Sequence, residues 1–379
     1  MNQKHILFNL NTFPLVGNII PLVNKICYWQ KHDYSVTIFA SYELIEKLKQ
    51  VGQLAPIETL AFGGKTETTN KIGFMLECLR RNFVSLKYIK NLERQNFPVI
   101  YTISSVLDLV TIPALLKYRR NKFIWATVFD NTVPFTGSGN KIIRFLNWLF
   151  FIISTQLVKK ADRVFVSSDN VLPFLKKRGF SQEQIVTTGN GVEVDLIKQA
   201  RARKSINIDS LFIGRIHEAK GIYEMLKVLN LVKQEFPKFQ LAIMGEGEAK
   251  TVEKFSAKIK EMALSSNITF LGYKSGQEKY DIIKSSKSFW FFSEAEGFPQ
   301  ALMEAVSTGL PCFVYRLSAY DYYKNNEIML FDQKDYRTVA QAVINLFRKK
   351  DFTNKAGIAQ LKNFSWERIA QTEFESINR

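Results

Sequence analysis

The stretch from Ser288 to Phe313, SFWFFSEAEGFPQALMEAVSTGLPCF, constrains the fold more than any other part of the chain. It opens on Ser288-Phe289-Trp290-Phe291-Phe292, an apolar run too short for a helix and bounded by polar residues, which reads as a strand buried on both faces. After a loop from Ser293 to Phe298, Pro299 falls where a first helical residue would, its missing N–H costing nothing there. The helix it opens is expected to reach Gly309, with Pro311 as the stop. Ala301, Ala305 and Gly309 recur at helical spacing and let that helix lie close on a sheet. A strand–loop–helix–strand unit of this kind belongs to an open parallel sheet, whose ligands bind outside the carboxyl ends of the strands and whose helix starts attract phosphate or carboxylate. Glu296 and Glu304 flank that place. Carboxylates beside an anion-accepting helix end are suited to accept hydrogen bonds from paired hydroxyls, so the ligand class indicated carries both phosphate and vicinal diols, as a nucleotide sugar does. The plainer alternative is a buried connection whose two glutamates face solvent.

A chain of 379 residues with 46% hydrophobic content suits two globular domains. The net charge of +17 leans to the first half: residues 1–200 hold 25 basic against 14 acidic residues, +11, and residues 201–379 hold 27 against 21, +6. Such a surface attracts polyanions, either nucleic acid or an anionic membrane leaflet, and no recognised nucleic-acid motif accompanies it. The N-terminus runs straight into the strand-like Ile6-Leu7-Phe8 without signal-peptide organisation, which predicts a cytoplasmic protein. Cys27, Cys78 and Cys312 form no CxxC and have no histidine at ligand spacing, so they read as core thiols. His5, His32 and His217 outline no metal site, and no D-x-D motif is present. No metal and no other cofactor is expected.

In the first half a strand at 5–10 leads through Gly17 into a helix from about Ile19, the opening of a mononucleotide-type half-domain. Short runs at Val36–Ala40, Ile57–Ala61, Val99–Ile103, Phe123–Val128 and Arg163–Val166 alternate with helical patterns, the mark of a doubly wound sheet. Two segments bear on membranes. Lys71–Phe97 reads as one long helix mixing Arg80, Arg81, Lys87, Lys90 and Arg94 with Phe74, Phe83, Tyr88 and Phe97. Lys141–Lys160 holds an apolar run with basic ends, shorter than the ~20 residues that cross a bilayer. A core helix and a helix lying in a membrane interface are both open readings for these two.

The second half repeats the alternation, with strands at Phe239–Met244, Ile268–Leu271, Phe289–Phe292, Cys312–Tyr315 and Ile328–Phe331 and helices at Tyr223–Phe236, Ala249–Ala263 and Tyr336–Arg348. A strand starting at Ser210 ends in the loop Gly214–Gly221, which projects Arg215 and Lys220 toward the same crevice as Glu296. A guanidinium and an ammonium so placed suit a departing diphosphate, whereas salt-bridged surface residues are the alternative.

Glu296-Gly297-Phe298-Pro299, Glu304-Ala305 and Gly309-Leu310-Pro311 together resemble the paired-glutamate signature of family 4 glycosyltransferases, retaining enzymes of the GT-B fold. Gly214-Arg215 with Lys220-Gly221, Leu241 to Gly247, Ile268 to Gly272, Ala161-Asp162-Arg163-Val164 and Asn190-Gly191-Val192 are similar to that family's other landmarks, in order. The resemblance implies an α/β chain with two doubly wound Rossmann-like domains facing a central cleft. These are an acceptor-side domain over residues 1–200, a nucleotide-sugar domain over 201–364, and a helix over 365–379 that crosses back. It implies catalytic roles for Arg215, Lys220 and Glu296, and donor contacts at Gly17, Gly214, Gly297, Phe298, Pro299 and Glu304. Asp130 stands where relatives often place an acceptor-side histidine; an Asx-type loop residue is its other reading. The function implied is retaining transfer of a sugar from a nucleotide-sugar donor to a lipid-linked or cell-surface glycan, without a metal. The partners are the donor, that acceptor and an anionic membrane surface on the inner face of the cell membrane, with no nucleic acid. A non-catalytic polyanion- or membrane-binding protein on the same fold, and an inverting GT-B enzyme, are the alternatives.

Overall fold

Short β-branched and aromatic runs become the strands of two parallel sheets, and the amphipathic segments between them become the covering helices. The computed structural model describes residues 5–10, 19–50, 54–55, 57–62, 71–120, 122–129, 132–133, 135, 141–203, 207–294, 296, 298–317, 320 and 328–379. Contacts divide the chain into two units, Met1–Gly189 with Trp366–Arg379, and Asn190–Ser365.

The first unit holds β1 (His5–Leu10), β2 (Ser35–Ser41), β3 (Glu58–Phe62), β4 (Val99–Thr102), β5 (Ile124–Phe129), β6 (Arg163–Val166) and β7 (Ile185–Thr187). Their order is β3-β2-β1-β4-β5-β6-β7, every pair parallel. The helices are α1 (Ile19–Lys31), α2 (Tyr42–Gln50), α3 (Lys71–Leu86), α4 (Ile89–Gln95), α5 (Leu107–Arg120), α6 (Lys141–Val158) and α7 (Leu172–Lys177). Strand residues alternate between two cores: Leu7 packs with the α4–α5–α6 side, while Ile6, Phe8 and Leu10 pack with α1 and α2. The single helix expected over Lys71–Phe97 is broken at Lys87–Tyr88. There the N–H groups of Lys87 and Tyr88 turn to the carbonyls of Val84 and Ser85, three residues back, and the chain restarts as α4. Arg81 is also not part of a basic surface. It is 1% exposed and held with Arg80 on Glu77.

The second unit holds β8 (Ile208–Ile213), β9 (Leu241–Met244), β10 (Ile268–Gly272), β11 (Ser286–Phe291), β12 (Cys312–Tyr315) and β13 (Met329–Phe331), in the parallel order β10-β9-β8-β11-β12-β13. Its helices are α8 (Val194–Gln199), α9 (Ile222–Glu235), α10 (Ala249–Glu261), α11 (Gly276–Ser285), α12 (Gln300–Thr308), α13 (Tyr336–Lys349) and α14 (Lys355–Gln360). Phe289 and Phe291 face the α11–α12 core and Trp290 faces the α9–α13 core, so β11 is buried on both faces. Residues 190–200, expected to close the first domain, pack with this unit instead. The Val192 N–H donates to the Phe364 carbonyl at 2.6 Å, and Ile197 and Ala200 sit in the core with Leu310.

The final helix, α15 (Trp366–Asn378), packs on α1 in the first unit. Phe374 meets Trp29, Tyr34 and His32, and the Tyr34 hydroxyl donates to Asn378 at 2.7 Å. At the centre the buried Lys25 Nζ donates to Glu373 Oε1 at 2.7 Å and to the Tyr101 hydroxyl at 2.9 Å, and that hydroxyl donates to Glu373 Oε2 at 2.7 Å. Removing one member of such a set strands a charge in the interior. Glu373→Ala should therefore cost about 3–5 kcal/mol. Lys25→Met with Glu373→Leu should recover most of it, and urea denaturation of the three proteins measures both. Equal stability of Glu373→Ala and wild type would contradict the buried pairing.

Candidate active site

In the second sheet strand order reverses between β8 and β11, the point where an open parallel sheet offers a crevice to ligands. β8 ends in the loop carrying Arg215 and Lys220, and β11 ends in the loop carrying Glu296. The two loops are locked together. Glu294 N–H donates to the Ala219 carbonyl at 3.0 Å. Gly221 holds φ +71, and a Cβ there would run into the Phe292 carbonyl oxygen. Beside them the turn after β9 lies against Gly214: Gly214 N–H donates to the Met244 carbonyl at 3.0 Å, and Gly245, with φ +144, leaves no room for a Cβ against the Gly214 carbonyl.

This closure brings Lys220 Nζ onto Glu296 Oε1, with the Phe291 ring 5.9 Å from the ammonium. Glu296 is nearly buried and Lys220 partly so. Arg215 is exposed and makes no ion pair with any described residue. The helix start lies next to them in sequence. Pro299 is the residue before α12 rather than its first residue and its side chain caps nothing, and the Ala301 and Leu302 N–H groups have no intrahelical partner. Phe298 packs against the α11–α12 core, and its carbonyl accepts from the Gln300 N–H. Gly17, Asp130 and Gly297 lie outside the described residues.

Glu304 is buried one turn into α12, where its Oε1 accepts from Lys279 Nζ at 2.8 Å and from the Tyr280 hydroxyl at 3.3 Å. The same hydroxyl lies 3.4 Å from Glu193 Oε2. Lys279, Tyr280 and Glu193 were not singled out from the sequence. Glu193 adjoins Asn190-Gly191-Val192, the one sequence signal that could have pointed to it, and α11 itself has no strong periodic pattern. One phenolic proton serves two carboxylates here. Burial, first of all, raises the Glu193 carboxyl above its ordinary value; Lys279 opposes that shift and Glu304 adds to it. Burial and the same two carboxylates push the Tyr280 phenol up, so it remains a donor.

Residues 194–362 match the family described as glycosyl transferases group 1. The chain is 24% identical over 274 residues to an uncharacterised glycosyltransferase of Methanocaldococcus jannaschii, spanning 69% of this chain and 64% of the relative. It is 25% identical over 227 residues to the capsular polysaccharide biosynthesis glycosyltransferase CapH of Staphylococcus aureus, spanning 58% and 59%. It thus spans less than two thirds of the length of these two relatives. A phosphatidyl-myo-inositol mannosyltransferase of Propionibacterium freudenreichii is 24% identical over 354 residues, 90% of this chain and 84% of that protein. Among solved structures, HepE of Anabaena in complex with UDP and glucose superimposes with a TM-score of 0.74 at 14% identity over the whole of both chains.

The fold is GT-B. In GT-B terms the described site belongs wholly to the second Rossmann-like unit, and every one of its charged members except Arg215 is already engaged with a neighbour.

The shared phenol makes Glu193 a pH probe. Because its folded value is raised, ionisation costs stability as pH climbs from the ordinary carboxylate range through the folded value. Glu193→Gln should melt higher than wild type near neutral pH and lose that advantage below the ordinary carboxylate range. Thermal unfolding across pH measures it, and a variant less stable than wild type at neutral pH would contradict the assignment.

Proposed function

We propose that this protein is a retaining glycosyltransferase of the family 4 type, moving a sugar from a nucleotide-sugar donor to a hydroxyl of a lipid-linked or cell-surface glycan. The observation that carries the reading is the convergence, at one sheet's switch point, of Lys220, Glu296, the start of α12 and the buried Glu304. A binding protein has no evident need of all four. The capsular glycosyltransferase and the mannosyltransferase among the relatives support a glycan or lipid acceptor, and the UDP held by HepE supports a uridine nucleotide as the first donor to test.

In this reading the diphosphate lies against the first N–H groups of α12, near Gly214, with Arg215 and Lys220 on its oxygens, and Gly17 is a further donor contact by the family resemblance. The ribose diol meets Glu304, while the sugar hydroxyls meet Glu296 and the backbone of Gly297, Phe298 and Pro299. As the anomeric carbon–oxygen bond breaks, its electron pair goes to the diphosphate, and cations already in position stabilise that charge with little reorganisation. Lys220 exchanges the Glu296 carboxylate for phosphate as the donor binds, before this step. The acceptor hydroxyl attacks from the face the diphosphate leaves, and Asp130 is its acceptor-side residue by the family resemblance alone. A departing phosphate oxygen takes the hydroxyl proton, so the anomeric configuration is kept and no protein base is required. No divalent metal or other cofactor takes part, and no nucleic acid is a partner. The protein works in the cytoplasm, peripheral on the inner face of the cell membrane.

A donor present at 100 times its Kd should stabilise the protein by about 2.7 kcal/mol. Thermal shift against uridine, guanosine and adenosine diphosphates and their sugars identifies it, and Glu304→Gln should weaken the nucleotide response. Silence across the whole panel would remove the donor site.

Lys220→Ala and Arg215→Ala should each lower turnover by roughly 10²–10³, the effect of deleting one preorganised charge donor. Glu296→Gln should abolish turnover while the nucleotide diphosphate still binds. All of these assays should run undiminished in EDTA. Wild-type turnover in the variants, activity restored by Mn²⁺, or an inverted product anomer would each overturn its own part of the mechanism.

A further inference from the structure

Six large apolar side chains stand exposed on two adjacent helices of the first unit. They are Leu76, Leu79 and Phe83 on α3, and Ile142, Phe145 and Ile153 on α6. Phe83 and Ile142 are each 70% exposed, which sets them apart from core residues caught at an edge. The spacing is helical in both cases, three or four residues or a multiple of a turn apart, so each set forms a stripe along its helix. Both helices pack on α5 and touch one another.

The helix α6 is by length and composition apolar enough to cross a membrane, yet only 22% of it is buried. Its fixed part is the C-terminal half, where Phe151, Ser154, Thr155 and Val158 turn inward. From Lys141 to Phe150 no residue is buried. A helix held along one side by α5, with no fully buried residue over its first half, is arranged to lie in an interface rather than to cross one.

The charges decide what covers it. α6 carries Lys141 and Arg144 and no carboxylate. The one carboxylate of α3, Glu77, is buried and occupied by Arg80 and Arg81. Every exposed charge described on the two helices is therefore positive, exposed Lys87 follows directly after α3, and exposed Lys90 lies on α4. Among the described residues of the two helices the apolar stripe carries cations and no exposed carboxylate, which matches a surface with an acyl interior and anionic headgroups. A protein partner or a second copy of this basic chain would have to supply the missing acids.

We propose that the α3–α6 face of the first unit seats in the headgroup region of an anionic bilayer, with α6 in the membrane plane. The proposal rests on the peripheral placement given under Proposed function and names the surface responsible for it.

The chain carries its own reporter. Of its five tryptophans, Trp29, Trp125, Trp290 and Trp366 are buried. Trp148 is partly exposed on α6, edge-on to Phe135 at 5.4 Å. The full chain is mixed with vesicles of phosphatidylcholine alone and of phosphatidylcholine with phosphatidylglycerol. The expected result is cosedimentation with the anionic vesicles, weakened by salt, together with a blue shift of tryptophan emission. Trp148→Phe should remove the shift and keep the binding. Changing Phe83, Ile142 and Phe145 together to Ser should weaken partition by roughly tenfold or more. Because these side chains are exposed, the triple variant should keep the wild-type melting temperature and its nucleotide-induced stabilisation. That second readout separates this proposal from the donor site: lost nucleotide binding with intact vesicle binding would sink only the donor reading. Equal recovery in the supernatant with both vesicles would overturn the membrane face, as would vesicle binding that the triple variant leaves unchanged. A dimer that the triple variant dissolves, without any vesicle binding, would assign the face to a second copy instead.

Discussion

The contact on which the second unit depends is the approach of the Gly221 backbone to the Phe292 carbonyl, accompanied by the hydrogen bond from Glu294 N–H to the Ala219 carbonyl. Loops at the ends of parallel strands have no pairing partner of their own, so their separation is set by whatever backbone can come close. A side chain at position 221 would wedge them apart. With glycine there, the β8 and β11 loops close until the Lys220 ammonium reaches Glu296, and the helix start at Pro299 follows in the same chain segment.

The acids of the site follow from the same compactness. A carboxylate taken out of water is costly unless a cation or donor replaces its hydration. Glu296 has Lys220, and Glu304 has Lys279 with the Tyr280 hydroxyl. Both carboxylates stay fixed beside a helix end that itself attracts anions. This combination gives a ligand with phosphate and hydroxyl groups something to meet at each point. Glu193 is the exception, drawing on a phenol it must share, and burial raises its proton affinity accordingly.

In the first unit three cations are spent inside the fold. Lys25 is enclosed by Glu373 and Tyr101, Arg81 by Glu77, and Lys117 holds Asp162, whose carboxylate also accepts from the Trp125 N–H at 2.7 Å. Arg81–Glu77 and Lys117–Asp162 each remove an acid with a base, so only Lys25, whose partner lies beyond residue 200, draws on the basic balance of residues 1–200. What remains on α3 and α6 has a clear sign, because the acid on those helices has been used internally.

The sequence by itself determined the two doubly wound sheets, since short apolar runs buried on both faces and separated by helical patterns admit few other arrangements. It also picked out Arg215, Lys220, Glu296 and Glu304, because glycine, proline and charge recur at strand ends with spacing that resembles a known family. Gly17, Asp130 and Gly297 fall outside the described residues. Only the tertiary structure decided which charges meet. Tyr280 reaching both Glu193 and Glu304 joins residues 87 and 24 positions apart in the chain, and no local pattern encodes such a distance. The same holds for Arg81, which reads as a basic surface residue and is buried, and for the break at Lys87–Tyr88. Local sequence sets periodicity and the points where a chain turns. Which face of a helix finds a partner depends on what the rest of the fold brings against it, and that left the first half of α6 without a fully buried residue.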